Sequence, residues 1–361
     1  MVRSARVLAL VLLFPAMAWA DGFMTAKTTG PVTVQTQSKQ MVASPRQEAL
    51  LIFDGKIVRI VLRTYFRAGP KELAWIIPVP QAPTDVQAAD KNVFDRLEQE
   101  TAPRFYWVER RAKSNGTFGG ALGVGGAEGG GDDVLERGVF VEAAGTAGIF
   151  EWTVLGATDT DKLLAWLTNN QYAVPDGARP VVDPYVQGGW HWLAVKVRPD
   201  VAVQITLAPH PITYTYRDDK LVYPLVISQL SADRRNEIVL YVLARKRFAV
   251  KNWPNTVIDA ESLKRDPSSP SGTNYERLVA LQTVKNRGHL FIAEYSFNIK
   301  AGRRRELLDF LVSAGVAQAD SPLTYLTRLR AIMTPESMDR DVLLRQLDTA
   351  QPVANVFRLG D

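Results

Sequence analysis

Residues 47–80, QEALLIFDGKIVRIVLRTYFRAGPKELAWIIPVP, leave the chain few choices other than sheet. Two apolar runs flank Asp54-Gly55, a pair whose members tolerate positive φ and suit a tight two-residue hairpin turn. After the turn, Val58, Ile60, Leu62, Thr64 and Phe66 point one way, while Ile57, Arg59, Val61, Arg63 and Tyr65 point the other. A second turn at Ala68-Gly69-Pro70 leads to Leu73, Trp75, Ile77 and Val79, again spaced by two. Pro78 and Pro80 lack a donor for a ladder, so this run ends there or lies at an edge. The pattern predicts a three-strand antiparallel meander.

The same stretch, from Ser44 to Pro80, resembles the N-terminal signature of the domain of unknown function 2330 family, a group of bacterial secreted proteins. APHPITYTYRDDKLVYPLVISQLSA, SPSGTNYERL and YLTRLRAIMTPESMDRDV match that family as well, so the resemblance spans nearly the whole chain after residue 20. It implies an exported protein and carries no activity, since the family has none assigned. The order of a strand, Thr64-Tyr65-Phe66 and a strand ending in Pro-Val-Pro is also similar to the sandwich domain at the N-terminus of inter-alpha-trypsin-inhibitor heavy chains.

Residues 1–20 read as a secretory leader. Arg3 and Arg6 form its basic start, Val7–Phe14 its apolar core, and Ala18-Trp19-Ala20 a small-x-small cleavage site. The apolar run is shorter than the ~20 residues needed to span a bilayer. With no cysteine in the chain, disulfides, thiol catalysis, iron–sulfur centres and acylation after the leader are ruled out. A core must therefore hold the fold alone, which a chain of this length can build. The net charge is +5 and falls by two when the leader's arginines leave, with signs interspersed. That balance does not point to a nucleic-acid partner.

Along the chain, PVTVQTQ predicts a first strand. A short helix after Asp90 has Val93, Phe94 and Leu97 inward, and a strand follows at 105–108. Residues 114–133 form a glycine-dense loop without the GK[ST] ending or strand-to-helix setting of a phosphate cradle. Strands are expected at 138–142 and 148–155. A helix over 159–172 is capped by Thr158 or Asp159, with Leu163, Leu164, Trp166 and Leu167 as its apolar face. A turn at Val174–Gly177 follows. In the second half, strands are expected at 189–198 and 201–207, a hairpin through Asp218-Asp219, and a long strand at 237–248. Thr273-x-x-Glu276 predicts a capping box. A strand at 289–297 and an amphipathic helix at 303–314, closed by Gly315, come next. Residues 324–333 satisfy both helix and strand patterns, and the stretch from Gln346 reads as a fraying tail.

Together these elements predict a mostly-β α+β protein with two antiparallel, sandwich-like sheet parts, one per half, and a few short helices packed on them. The expected organisation is a leader at 1–20, an N-terminal β-sandwich-like part at 21–155 and a C-terminal α+β part at 156–361.

Candidate chemistry is sparse. His191, His210 and His289 lack metal-ligand spacing, and Asp132-Asp133 and Asp218-Asp219 are only pairs, so neither a metal nor a cofactor is expected. Ser271, in Pro270-Ser271-Gly272 before a helix start, is the one serine placed where backbone N–H groups could face an oxyanion. No G-x-S-x-G occurs, any triad would have to recruit a distant histidine, and turn chemistry with helix capping is the favoured account. Trp190-His191-Trp192 is the candidate binding element. On a strand its two indoles share one face, which builds a platform for a sugar or peptide if it points outward and core if it points inward. These features favour a non-enzymatic envelope protein that presents a sheet edge or loops to a protein or glycan partner. The alternative is a cell-envelope hydrolase using Ser271 or paired carboxylates.

Overall fold

The computed structural model describes residues 23–26, 44–64, 73–107, 138–198, 210–300, 302–348 and 351–359. The expected leader, the PVTVQTQ strand, the turn at 68–70, the glycine-dense loop and the 201–207 strand lie outside them.

In chain order the elements are β1 (Phe23–Ala26), β2 (Ser44–Phe53), β3 (Ile57–Thr64), β4 (Leu73–Val79), β5 (Thr84–Ala88), α1 (Val93–Thr101) and β6 (Arg104–Trp107). Then come β7 (Val139–Ala147), β8 (Phe150–Ala157), α2 (Thr160–Asn169), α3 (Ala178–Gln187) and β9 (His191–Val197). The rest are β10 (Ile212–Arg217), β11 (Leu221–Tyr223), β12 (Ala232–Ala244), β13 (Phe248–Val250), β14 (Asn255–Thr256), α4 (Tyr275–Lys285), β15 (Phe291–Asn298), α5 (Arg305–Ser313), β16 (Tyr325–Met333), β17 (Val342–Gln346) and β18 (Val356–Leu359).

The protein is mostly-β α+β. An eight-stranded sheet runs β14-β15-β16-β12-β2-β3-β10-β5, and a five-stranded sheet runs β1-β4-β9-β8-β7. Their facing sides share one core, in which Ala49, Leu51, Ile60, Leu62, Leu240 and Val242 of the large sheet meet Trp75, Ile77, Leu193 and Val195 of the smaller one. The outer face of the large sheet carries Leu50, Val61, Val239 and Leu243 under Phe94 and Leu97 of α1 and Leu307, Leu308 and Leu311 of α5. The outer face of the smaller sheet carries Ile76, Leu155 and Trp192 under Leu163 and Leu167 of α2 and Val182 and Val186 of α3. The result is a helix–sheet–sheet–helix stack. β12 lies at its centre, parallel to β2 and antiparallel to β16. Ile238–Leu243 has no exposed surface, which is why the strand reads as an unbroken apolar run.

The meander is not formed as one sheet. β2 and β3 make the expected hairpin, but β4 leaves to pair with β1 and β9 in the other layer. A strand covered on both sides satisfies either sheet, so period-two patterning does not assign it. The hairpin turn is also wider than two residues. Positions 54–57 separate the paired Phe53 and Val58, and Asp54 Oδ1 accepts from the amides of Lys56 (2.8 Å) and Ile57 (2.7 Å). The hairpin through Asp218-Asp219 is likewise absent, because β10 pairs with β3 and β5 while β11 joins β17 and β13 in a three-stranded sheet. Strands from both sides of residue 155 enter each large sheet, so the halves do not form one sheet apiece.

Several local readings hold. Asp159 caps α2 by accepting from the Lys162 amide at 3.0 Å, and the inward residues of α1 and α5 are those the periodicity selects. The helix α3 is additional. Pro180 falls in its first turn, where an amide would be unsatisfied anyway, and Pro184 is tolerated because Val182, Tyr185 and Val186 bury beside it. Thr273 and Glu276 do not form a capping box. Asn274 is the N-cap of α4, and the Glu276 carboxylate, exposed at the surface, pairs instead with Arg330. β16 is a strand, and the supposed tail contains β18.

Candidate functional site

Both candidate cavities arise from the way alternating strands dispose their charged residues. On the helix-covered face of the large sheet, the residues in register with Leu50, Val61, Val239 and Leu326 are Arg46, Glu48, Arg63, Glu237, Arg328 and Arg330. A β-bulge between Ala293 and Tyr295 adds one residue to β15, and Glu294 enters this layer between two arginines. Arg63 Nε donates to Glu48 (2.7 Å) and its Nη1 to Asp95 (2.6 Å). Arg328 donates to Glu294 (2.7 Å), Glu98 (2.7 Å) and the Tyr241 hydroxyl (2.9 Å). Arg330 grips Glu276 with two bonds of 2.9 Å and donates to Glu237 at 2.5 Å. Arg46 donates to Glu98 at 2.5 Å. Burial pushes Glu98 upward, but the Arg328 and Arg46 guanidiniums outweigh it and hold the carboxyl down to about 2. Burial likewise opposes the Glu237 charge, and Arg330, Arg46 and Arg328 lower it overall. Burial and Glu294 push the Tyr275 phenol up, so it stays protonated and donates to Glu294 at 2.7 Å.

Ser271 lines the cavity of about 280 Å³ beside this network. Its hydroxyl exchanges hydrogen bonds with Thr273 Oγ1 (3.0 Å) and Ser269 Oγ (3.1 Å). Among the described residues no histidine lines that cavity. His191 Nδ1 is 2.7 Å from Glu142, and His289 lies near Asp339 and Trp253. Among the described residues the cavity's carboxylates are engaged by arginines rather than by Ser271, and the layer reads as a structural ion network. Asp218 Oδ1 caps its own turn at the Lys220 amide, and Asp132-Asp133 lies outside the described residues. Among the described residues no group of three or more His, Asp or Glu side chains is placed to hold a metal ion.

The two indoles of Trp190-His191-Trp192 do not share an exposed face. Trp192 is 0 % exposed within the outer core of the smaller sheet. Trp190 precedes β9, is half-buried, and meets the Tyr185 ring edge-on at 4.9 Å. The strand turns its indole side under α3, so the two rings serve packing.

The second cavity, about 790 Å³, was not signalled by any motif. β6 and β18 form a two-stranded parallel ribbon in which Val356 pairs with Arg104, Phe357 with Phe105, Arg358 with Tyr106 and Leu359 with Trp107. Alternation divides the ribbon. Phe105, Trp107, Phe357 and Leu359 pack on the cluster around Tyr275, Val279 and Ile292. Arg104, Tyr106, Val356 and Arg358 line the cavity. Arg303 and Arg304, in the 3-10 turn Gly302–Arg304 that leads into α5, form another wall with Leu307, and Tyr295 and Asn355 complete the lining. Asn355 Nδ2 ties the ribbon to the end of α1 by donating to the carbonyls of Glu100 and Ala102 at 2.9 Å.

The charge of this groove is one-sided. Its four arginines face one carboxylate, Glu100, which is already 3.1 Å from Arg96. Among the described residues none of the four has a carboxylate within ion-pair reach, in contrast to the fully paired arginines of the neighbouring layer. Arg304 lies over the Phe297 ring at 3.9 Å, and Arg104 Nε has no hydrogen-bond partner among the described residues. Tyr106 is 53 % exposed. Burial pushes the Tyr295 phenol up to about 12 against the pull of Arg304, so it remains a neutral donor. Arg104 Nη2 also donates to the Glu100 carbonyl at 3.5 Å, and guanidiniums gathered in a concavity without carboxylate partners suit phosphate or carboxylate groups, which they bind with paired N–H bonds. The sequence signal, visible only afterwards, is two short strands, RFYW and VFRL, that each set one arginine among aromatic and apolar residues.

Among the described residues no helix is long and apolar enough to cross a membrane. A comparison with curated proteins finds no match. Among solved structures the chain is similar to baculovirus P35, at 9 % identity and a TM-score of 0.38, over 85 % of this chain and 98 % of that one. A mutated baculovirus P35 after caspase cleavage matches at 7 % identity and a TM-score of 0.35, over 84 % and 100 %. Likenesses this distant say nothing about the site. The family model described as "uncharacterized protein conserved in bacteria" (DUF2330) matches residues 25–345, and the chain belongs to that family.

Proposed function

We propose that this bacterial protein is an exported, non-enzymatic binding module that holds an anionic envelope partner in the groove between the β6–β18 ribbon and the start of α5. The leader-like pattern of residues 1–20 supports export. The observation that carries the binding reading is the set of four groove arginines without carboxylate partners among the described residues. Such a cluster raises the local potential and draws anions, whereas a structural arginine is paired, as Arg63, Arg328 and Arg330 are. A hydrolase reading would need a base for Ser271, and the carboxylates around it are tied to arginines.

Biolayer interferometry on polyphosphate- and polygalacturonate-coated sensors tests this. The wild-type protein should bind at least one surface and release with rising salt. Replacing Arg104, Arg303, Arg304 and Arg358 by Gln should abolish binding with the unfolding midpoint unchanged. Binding that survives the four substitutions, or polymer cleavage that Ser271→Ala abolishes, would refute the proposal.

A further inference from the structure

We propose that the groove takes an acidic saccharide, a chain of sugar rings bearing carboxylate or phosphate groups. This rests on the reading of the groove as an anion site and specifies the occupant's chemistry. Size is the first argument. At about 790 Å³ the groove falls in the range that holds a multi-ring organic ligand, roughly 300–1,000 Å³, far more than one inorganic anion fills.

Arrangement is the second. Arg104 and Tyr106 sit two residues apart on β6, about 6.6 Å along the strand, and Arg358 is directly opposite Tyr106 on β18. The exposed phenol ring therefore has a guanidinium beside it in two directions. Val356, 40 % exposed, extends the apolar strip between them. A sugar ring offers an apolar C–H face to such a strip while its acidic substituents project from the rim toward the arginines.

Competing polyanions fit less well. An acidic peptide brings carboxylates on flexible stems, whose ordering opposes binding, and supplies no flat apolar face for Tyr106. A nucleic acid follows a continuous basic track, but across the chain 43 basic residues are nearly balanced by 38 acidic ones.

Isothermal titration calorimetry of the full protein tests the assignment with hexagalacturonate, a phosphorylated mannan fragment, neutral maltohexaose, inorganic phosphate, hexaglutamate and a hexadeoxynucleotide. One of the two acidic saccharides should bind at least tenfold more tightly than the remaining probes, and which one does so identifies the acid group. Tyr106→Ala should weaken that saccharide about tenfold, the equivalent of an aromatic stacking contact. The same change should alter hexaglutamate binding less than twofold. Arg104→Gln and Arg358→Gln should each weaken all anions about tenfold or more. Tyr106 and Arg358 are exposed and Arg104 is half-buried, and an unchanged urea midpoint verifies the fold of each variant. If hexaglutamate, the oligonucleotide or inorganic phosphate binds as tightly as either saccharide, or Tyr106→Ala leaves the saccharide unaffected, the saccharide assignment is overturned while the anion groove stands. If no anion responds to the arginine variants, the groove reading itself falls.

Discussion

Replacing Arg328 by Met tests whether the buried ion network is integral to the fold. The Arg328 side chain is 3 % exposed and faces Glu294, which is wholly buried, at 2.7 Å. It also donates to Glu98 and Tyr241. Methionine fills part of the volume but leaves Glu294 with the Tyr275 hydroxyl and one long contact to Arg330 at 3.4 Å. Removing one partner of a buried pair strands the other charge, and the expected loss is about 3–5 kcal/mol. Adding Glu294→Leu removes the stranded charge, so the double variant should recover about 1–3 kcal/mol relative to the sum of the single losses. Urea unfolding followed by tryptophan fluorescence reads both quantities, with an unchanged m-value confirming that the denatured state is not what changed. A loss for Arg328→Met below about 1 kcal/mol, the net worth of an ordinary hydrogen bond, would mean that water already solvates the layer. Additivity within about 0.5 kcal/mol would mean that the two residues do not act as a pair.

Three further outcomes follow from described contacts. Glu98, held down to about 2, and Glu237, also lowered, keep their charges more readily when folded than when unfolded; their stabilisation is complete above the usual carboxylate pKa near 4.5 and is lost as pH falls toward 2. The urea midpoint should therefore drop between pH 5 and 3, less steeply in Glu98→Gln, and a flat midpoint over that interval would refute it. Gly156→Ala places a Cβ 2.1 Å from the Phe140 ring, so it should destabilise by about 1–3 kcal/mol and be rescued by Phe140→Ala; equal stability of Gly156→Ala and wild type counts against the packing described. Trp192→Ala should destabilise by about 3–5 kcal/mol as a core truncation and leave anion binding untouched, whereas a selective binding defect with normal stability would restore the platform reading.

The sequence was informative where a residue's partners are near in the chain. The β2–β3 hairpin, the Asp159 cap of α2, the close of α5 at Gly315 and the inward faces of α1 and α5 all rest on contacts within a few positions. It was silent where pairing is distant. Nothing in Leu73–Val79 says that this strand crosses to the other layer, and β18 carries no sign of its partner β6. β16 was ambiguous because its apolar spacing of three favours a helix while its Thr and Tyr content favours a strand. Its Arg328 and Arg330 are buried because Glu98, Glu237, Glu276 and Glu294 reach them from other elements, which no local pattern reveals. The groove escaped notice in the same way. Arg104, Arg303 and Arg358 are unremarkable one at a time, and only the parallel ribbon and the turn before α5 gather them.

Asn355 reaches the carbonyl of Glu100 across 255 positions of chain. Closing so wide a loop costs more entropy than one hydrogen bond returns, and the packing of Phe357 and Leu359 on the cluster around Tyr275 offsets it. Removing residues 356–359 would take away β18 and, with it, the Val356 and Arg358 lining of the cavity.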